Sequence, residues 1–188
     1  ISNVKDDESK LSNLFDKIDD FDILITSGGI SKKKYDIVKK TLKKKGLKIL
    51  FDRVAMKPGK PTTFGQFNKN KFFLGLPGNP VSCFITMLFF FPIYINSFYG
   101  FEYIKLNQTK LITKTDINKN TKLTSFLRIK LDDLSSKYFQ AFKNQDSSLQ
   151  KILNDSDGIL MRKANSKFAK AGQLLDVILY KNILNNEI

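Results

Sequence analysis

Residues 21–31 read FDILITSGGIS, a short and mostly apolar run broken at once by a serine and two glycines. A run of this length and composition suits a parallel strand of an α/β sheet, whose two faces are both covered. Gly28 and Gly29 then supply a turn in which side chains would be an obstruction. The flanking residues agree with this reading. Leu11, Leu14, Phe15 and Ile18 recur at i, i+3, i+4 and i+7, the apolar stripe of an amphipathic helix, and Asp6 or Asp7 is placed to cap its first turn. Residues 35–45 form a second helix with Val38 and Leu42 inward and lysines outward, and Gly46 stands where a left-handed C-cap is expected.

Toward the C-terminus, LKILF (47–51) and RVAM (53–56) are expected strands leading into the loop KPGKP (57–61). TTFGQF and FFLGL follow, separated by a polar stretch at 68–71 suited to a hairpin turn. After FFLGL comes the loop PGNP (77–80), then an apolar helix to about residue 97. Its longest apolar run, Cys83 to Ile95, falls short of the roughly 20 residues that cross a bilayer, so a buried helix is expected, with Cys83 a small buried hydrophobe. Strands alternating with helices predict an α/β layer fold for residues 1–102. Beyond them the pattern changes to short segments separated by polar turns: FLRIKL, YFQAF, GILMRK and LLDVILY, with one helix near 148–153. Residues 103–188 are therefore expected to form a small β-rich domain.

The 188 residues include 17 Phe, and 41% are hydrophobic, enough for a globular core. A net charge of +14 invites a nucleic-acid reading. Only Arg53, Arg128 and Arg162 are arginines, however, so the charge is dispersed lysine rather than the guanidinium forks that read phosphates and bases. A small anionic substrate is the better match, and neither nucleic acid nor membrane is an expected partner. The single cysteine excludes an intrachain disulfide and suits a cytoplasmic setting. The chain opens on Ile1, with Asp6, Asp7 and Glu8 before any apolar stretch, so it reads as a fragment or processed product without a signal peptide. With no histidine, Ser-His-Asp and Cys-His nucleophiles and HExxH zinc sites are excluded. Chemistry falls to Lys, Asp, Glu, Ser, backbone amides or a hard cation held by oxygens.

Three loops directly follow apolar strands: SGGIS (27–31), KPGKP (57–61) and LPGNPVS (76–82). Ligands of open α/β sheets bind beyond the carboxyl ends of the strands, so these loops are expected to line one crevice. Gly28, Gly29 and Gly78 allow close backbone approach, and helices beginning after them offer amide donors to an anion. Lys57 and Lys60 add two charges in a loop stiffened by Pro58 and Pro61. Each feature alone has an ordinary explanation. A glycine pair makes a turn, PGNP is turn chemistry, Ser31 caps a helix, and Asp36 sits favourably on a helix dipole. The conjunction is what points to an oxyanion site.

DILITSGGIS with YD following, then RVAMKPGKPTTFG and FLGLPGNPVS, resemble in order and spacing the molybdopterin molybdenumtransferase family, which includes the C-terminal domain of gephyrin. Residues 145–179 look like that family's terminal β-barrel domain. The resemblance implies that adenylated molybdopterin is bound, molybdate inserted at its dithiolene and AMP released, with a divalent cation such as Mg2+. It implies that Lys57 and Lys60 hold molybdate with Ser31 and Ser82, and that Asp36 acts at the phosphoanhydride through the metal or the attacking water. Gly28, Gly29, Gly59, Pro61, Gly78 and Asn79 would shape the walls. Where the family has glycine this chain has Lys33, in the run Lys32–Lys34, which makes the loop more basic. Arg128 is the candidate for an arginine that the family's terminal domain contributes. The family carries further domains before this region and completes its site across a homodimer, so the fragment alone is expected to be inactive. A molybdopterin adenylyltransferase-like enzyme and a non-catalytic molybdopterin-binding scaffold are the alternatives.

Overall fold

The structure, a computed structural model, describes residues 4, 7–18, 20–30, 36–101 and 106–184. Along the first half of the chain run α1 (Glu8–Asp16), β1 (Ile23–Ser27), α2 (Ile37–Lys44), β2 (Lys48–Asp52), β3 (Met56–Lys57), β4 (Thr63–Asn68), β5 (Lys71–Leu76) and α3 (Pro80–Tyr99). The second half carries β6 (Thr109–Thr113), β7 (Thr124–Leu131), β8 (Tyr138–Ala141), α4 (Gln150–Asp155), β9 (Gly158–Arg162), β10 (Leu174–Leu179) and α5 (Tyr180–Leu184). Two compact units result: residues 1–54 with 59–87, and residues 55–58 with 88–188. This division falls inside α3, whereas the boundary expected near residue 103 lies beyond the end of that helix.

The first unit holds a four-stranded sheet in the order β1-β5-β4-β2, with β1 parallel to β5 and β4 antiparallel to both its neighbours. Asp7 caps α1 by accepting from the Lys10 amide at 3.0 Å. Asn68 Oδ1 closes the β4–β5 hairpin by accepting from the Asn70 and Lys71 amides. Leu11, Val38 and Leu42 from the two helices pack with Leu47 and Phe73 of the sheet side, each such burial being worth roughly 1.5–3 kcal/mol. Glu8 pairs with Lys40 and Lys44, and Asp16 with Lys45, fastening α1 to α2 at the surface.

Three expectations need correction here. β1 is not buried on both faces, because α1 and α2 cover one side only. The other side carries Phe51, Phe64 and Phe72, stacked at 5.6 and 5.9 Å, beside Ile25, which is 36% exposed. RVAM is not a strand of this sheet: Arg53 turns into the left-handed region at φ 69, and only Met56–Lys57 is extended. α3 is 20 residues, long and apolar enough to cross a membrane by length and composition alone, a test that core helices also pass. It is not a wholly buried helix either. Val81, Ser82, Ile85 and Thr86 are buried, but Phe84, Ile93, Phe98 and Tyr99 are exposed and Cys83 is half-buried.

In the second unit, β7-β8-β6-β10-β9 closes on itself through the β7–β9 pairing, with β3 added in parallel to β7. Leu111, Ile129, Leu131, Phe139, Leu160 and Val177 fill its interior. Closure leaves few unpaired strand edges, which is how so short a β-rich segment protects its backbone donors.

Candidate functional site

The parallel register of β1 and β5 runs to Ser27 opposite Leu76, so the loops that leave these strands emerge side by side. The Gly28 amide donates to the Leu76 carbonyl at 3.0 Å. Gly28 has φ +91, and a Cβ added to Gly78 would stand 3.3 Å from Gly28 Cα, so the two loops touch backbone to backbone. Gly29 has φ +68, and a Cβ there would lie 2.5 Å from Val38 Cγ2 on α2. Gly29→Ala is accordingly expected to cost roughly 2–3 kcal/mol from left-handed strain and overpacking, read as a fall in the denaturant midpoint.

The third loop reaches the same edge of the sheet, because Thr63 at the start of β4 lies opposite Gly75 near the end of β5. Its tip is a tight turn. The Gly59 carbonyl accepts from the Thr62 amide at 3.0 Å and the Thr62 hydroxyl at 2.6 Å, while the Val54 amide donates to the Lys60 carbonyl at 2.9 Å. The buried Thr62 hydroxyl also lies 3.1 Å from that of Thr86 on α3. Backbone bonding of this density holds Lys60 on a fixed base with its ammonium exposed. Pro80 begins α3 directly after Asn79, so the free amides of its first turn face the same loops.

Asp36 stands at the N-terminus of α2 without capping it. Its Oδ2 pairs with Lys39 at 2.7 Å, while its Oδ1 is buried and has no partner among the described residues. Lys39 is the residue that periodicity misses: read as an outward lysine, it is buried, with its ammonium shared between Asp36 and Asp52. Asp52 Oδ1 also accepts from the Thr63 hydroxyl at 2.7 Å. Partial burial opposes ionisation of Asp52, but the Thr63 hydroxyl and the Lys39 ammonium outweigh it and hold the carboxyl below its ordinary value. A depressed carboxyl stabilises the fold above the unfolded value, about pH 4, and that contribution is lost as pH falls through the folded value. Wild type is thus expected to be more stable than Asp52→Asn at neutral pH, and the gap in denaturant midpoint is expected to narrow as pH falls below the ordinary carboxylate value and through the lowered folded one.

Gly28, Gly29, Gly59, Lys60, Pro61, Gly78, Asn79 and Ser82 all lie in the first unit, on the loops just described or the first turn of α3. Ser82 is buried, and Asn79 Oδ1 is a second buried acceptor without a partner among the described residues. Lys57 is exposed on β3 and belongs to the second unit. Ser31 and Lys32–Lys34 lie outside the described residues. Arg128 is fully buried on β7: its Nη2 donates to the Asp146 carbonyl at 3.1 Å, and burial lowers its pKa from the ordinary value against the pull of Tyr180 and Asp146. No group of three His, Cys, Asp or Glu that could hold a metal occurs among the described residues. The donor set fits a magnesium ion anchored by one carboxylate and completed by substrate oxygens and water. It does not fit an all-protein cage.

Comparison with known proteins matches residues 1–95 to a family described as a probable molybdopterin binding domain, and residues 110–180 to the MoeA C-terminal region, domain IV. The chain is 32% identical over 173 residues to the molybdenum cofactor synthesis protein cinnamon of Drosophila melanogaster, covering 89% of this chain and 28% of that protein. It is 29% identical over 178 residues to a molybdopterin molybdenumtransferase of Staphylococcus aureus, covering 93% of this chain and 42% of the relative. The chain thus spans less than half the length of these relatives. The crystal structure of a MoeA molybdopterin biosynthesis protein from Pyrococcus horikoshii superposes with a TM-score of 0.72 over 93% of this chain and 41% of that one, at 23% identity, a likeness of fold.

Proposed function

This chain belongs to the molybdopterin molybdenumtransferase family, and from that premise we propose that it carries the molybdate-inserting site of a full-length enzyme of molybdenum cofactor synthesis. The reaction is insertion of molybdate into adenylated molybdopterin with release of AMP. The observation that carries the reading is Asp36 Oδ1, buried and without a partner among the described residues, beside a loop edge otherwise made of glycines, helix amides and the exposed Lys60. Amides and ammonium groups bind anions, and one carboxylate whose buried oxygen has no partner among the described residues suits a hard cation.

In this reading Lys57 and Lys60 bind the molybdate oxyanion together with Ser31 and Ser82. Gly28, Gly29, Gly59, Pro61, Gly78 and Asn79 let the pterin and its phosphates approach the backbone. Asp36 holds the magnesium ion, which when bound neutralises charge at the phosphoanhydride. Lys39 pairs with Asp36 Oδ2 and so fixes the direction of its other oxygen. The working form is a homodimer in the cytoplasm. Lys60→Ala in the full-length protein is expected to raise the molybdate requirement for AMP release about tenfold or more, the worth of a charge-assisted hydrogen bond, with binding of adenylated molybdopterin retained. An unchanged molybdate requirement would remove Lys60 from the site.

A further inference from the structure

The mouth of the barrel in the second unit holds a cavity of about 430 Å³ that the family function does not use. Its position follows from the strand register. Gly158, Leu160 and Arg162 alternate inward on β9, opposite Ile129, Leu127 and Ser125 of β7. The interior is apolar through Leu160 and Ile129 and becomes cationic at Arg162, where the barrel opens. Barrel mouths are among the places where small ligands settle, and this volume lies within the usual range for such sites.

Arg162 is 8% exposed, its Nη2 donates to the Lys167 carbonyl, and its Nε is buried with no partner among the described residues. No carboxylate pairs with it among the ion pairs of the described residues. A buried guanidinium without a counter-charge is costly unless something completes it. Lys119 and Lys143 line the same cavity from exposed positions, against one carboxylate, Asp116, whose Oδ1 is already engaged by the Ala171 amide at 2.8 Å. The wall is firm. The Asn120 side-chain amide donates to the carbonyls of Leu123, Arg162 and Lys163 at 2.7–2.9 Å, and its oxygen accepts from the Ser125 hydroxyl at 2.8 Å. Arg128 is excluded from this cavity because it points to the opposite face of β7.

We propose that the barrel mouth binds a small molecule through an oxyanion, a phosphate or carboxylate group seated on Arg162 with Lys119 and Lys143 at the rim. The chain's three arginines make the test site-specific. The whole chain, labelled with 15N-arginine, gives separate Nε–H resonances for Arg53, Arg128 and Arg162, assigned by correlation to their backbones. It is titrated at constant ionic strength with inorganic phosphate and, separately, with citrate. The expected result is a saturable shift of the Arg162 Nε–H, with affinity reduced about threefold or more in Lys143→Glu, an exposed change that leaves the fold intact. A shift with phosphate alone identifies a phosphate ester as the ligand class, with citrate alone a carboxylate, and with both a general oxyanion seat. No saturable Arg162 shift with either probe at about 10 mM, well above a millimolar Kd, overturns the proposal. So does a shift whose midpoint is the same in Lys143→Glu.

Discussion

Asp36→Asn in the full-length protein is expected to lower AMP release from adenylated molybdopterin by about 10²–10³-fold, the usual loss when one preorganised charge-stabilising group is removed. The substitution keeps the size of the side chain, removes the charge and replaces one acceptor oxygen by an amide donor. Its Oδ2 partner Lys39 retains Asp52, and with Asp36 at the partly exposed end of α2 the cost in stability should stay within about 1 kcal/mol. Binding of the substrate should persist, since the amides and lysines that meet its anionic parts are untouched. Turnover within about threefold of wild type would show that Asp36 Oδ1 is not used in the chemistry.

Gly158→Ala is expected to have the largest effect on the fold. A Cβ at this position would lie 2.4 Å from the Ile178 carbonyl oxygen and 3.1 Å from Leu179 Cα, and Gly158 is paired with Leu179 across β9 and β10. Both obstacles are backbone of the adjoining strand, so no side chain can swing away. β9 and β10 must separate at this point of the barrel wall, at a cost of about 3 kcal/mol, visible as a large drop in the thermal or denaturant midpoint of the second unit. A midpoint equal to wild type would mean that β9 and β10 are not in the close register described.

Much of this was legible in the sequence, for identifiable reasons. The β1 run, the α2 stripe of Val38 and Leu42, the hairpin at Asn68–Lys71 and the glycines at each loop are local signals that need no partner to be read. The charged network was not legible. Lys39 falls three residues after Asp36, but its second partner, Asp52, is thirteen residues away and meets it only when β2 is laid beside α2. Periodicity assigns a lysine to solvent by default, and nothing local marks this one. The same limit explains RVAM, whose apolar residues suit a strand but whose Arg53 leaves the sheet to let Thr62 and Lys60 bond back to Arg53 and Val54. Composition alone predicts a buried α3, yet burial depends on what packs beside each turn. Arg162 gave no signal at all, since its inward direction follows from the β7–β9 register.

The most direct test of the proposed function is AMP release from adenylated molybdopterin by a full-length protein carrying this chain, with magnesium, in the presence and absence of molybdate. Release that requires molybdate is the predicted result. If the protein neither binds adenylated molybdopterin nor releases AMP on addition of molybdate, the enzyme reading is contradicted.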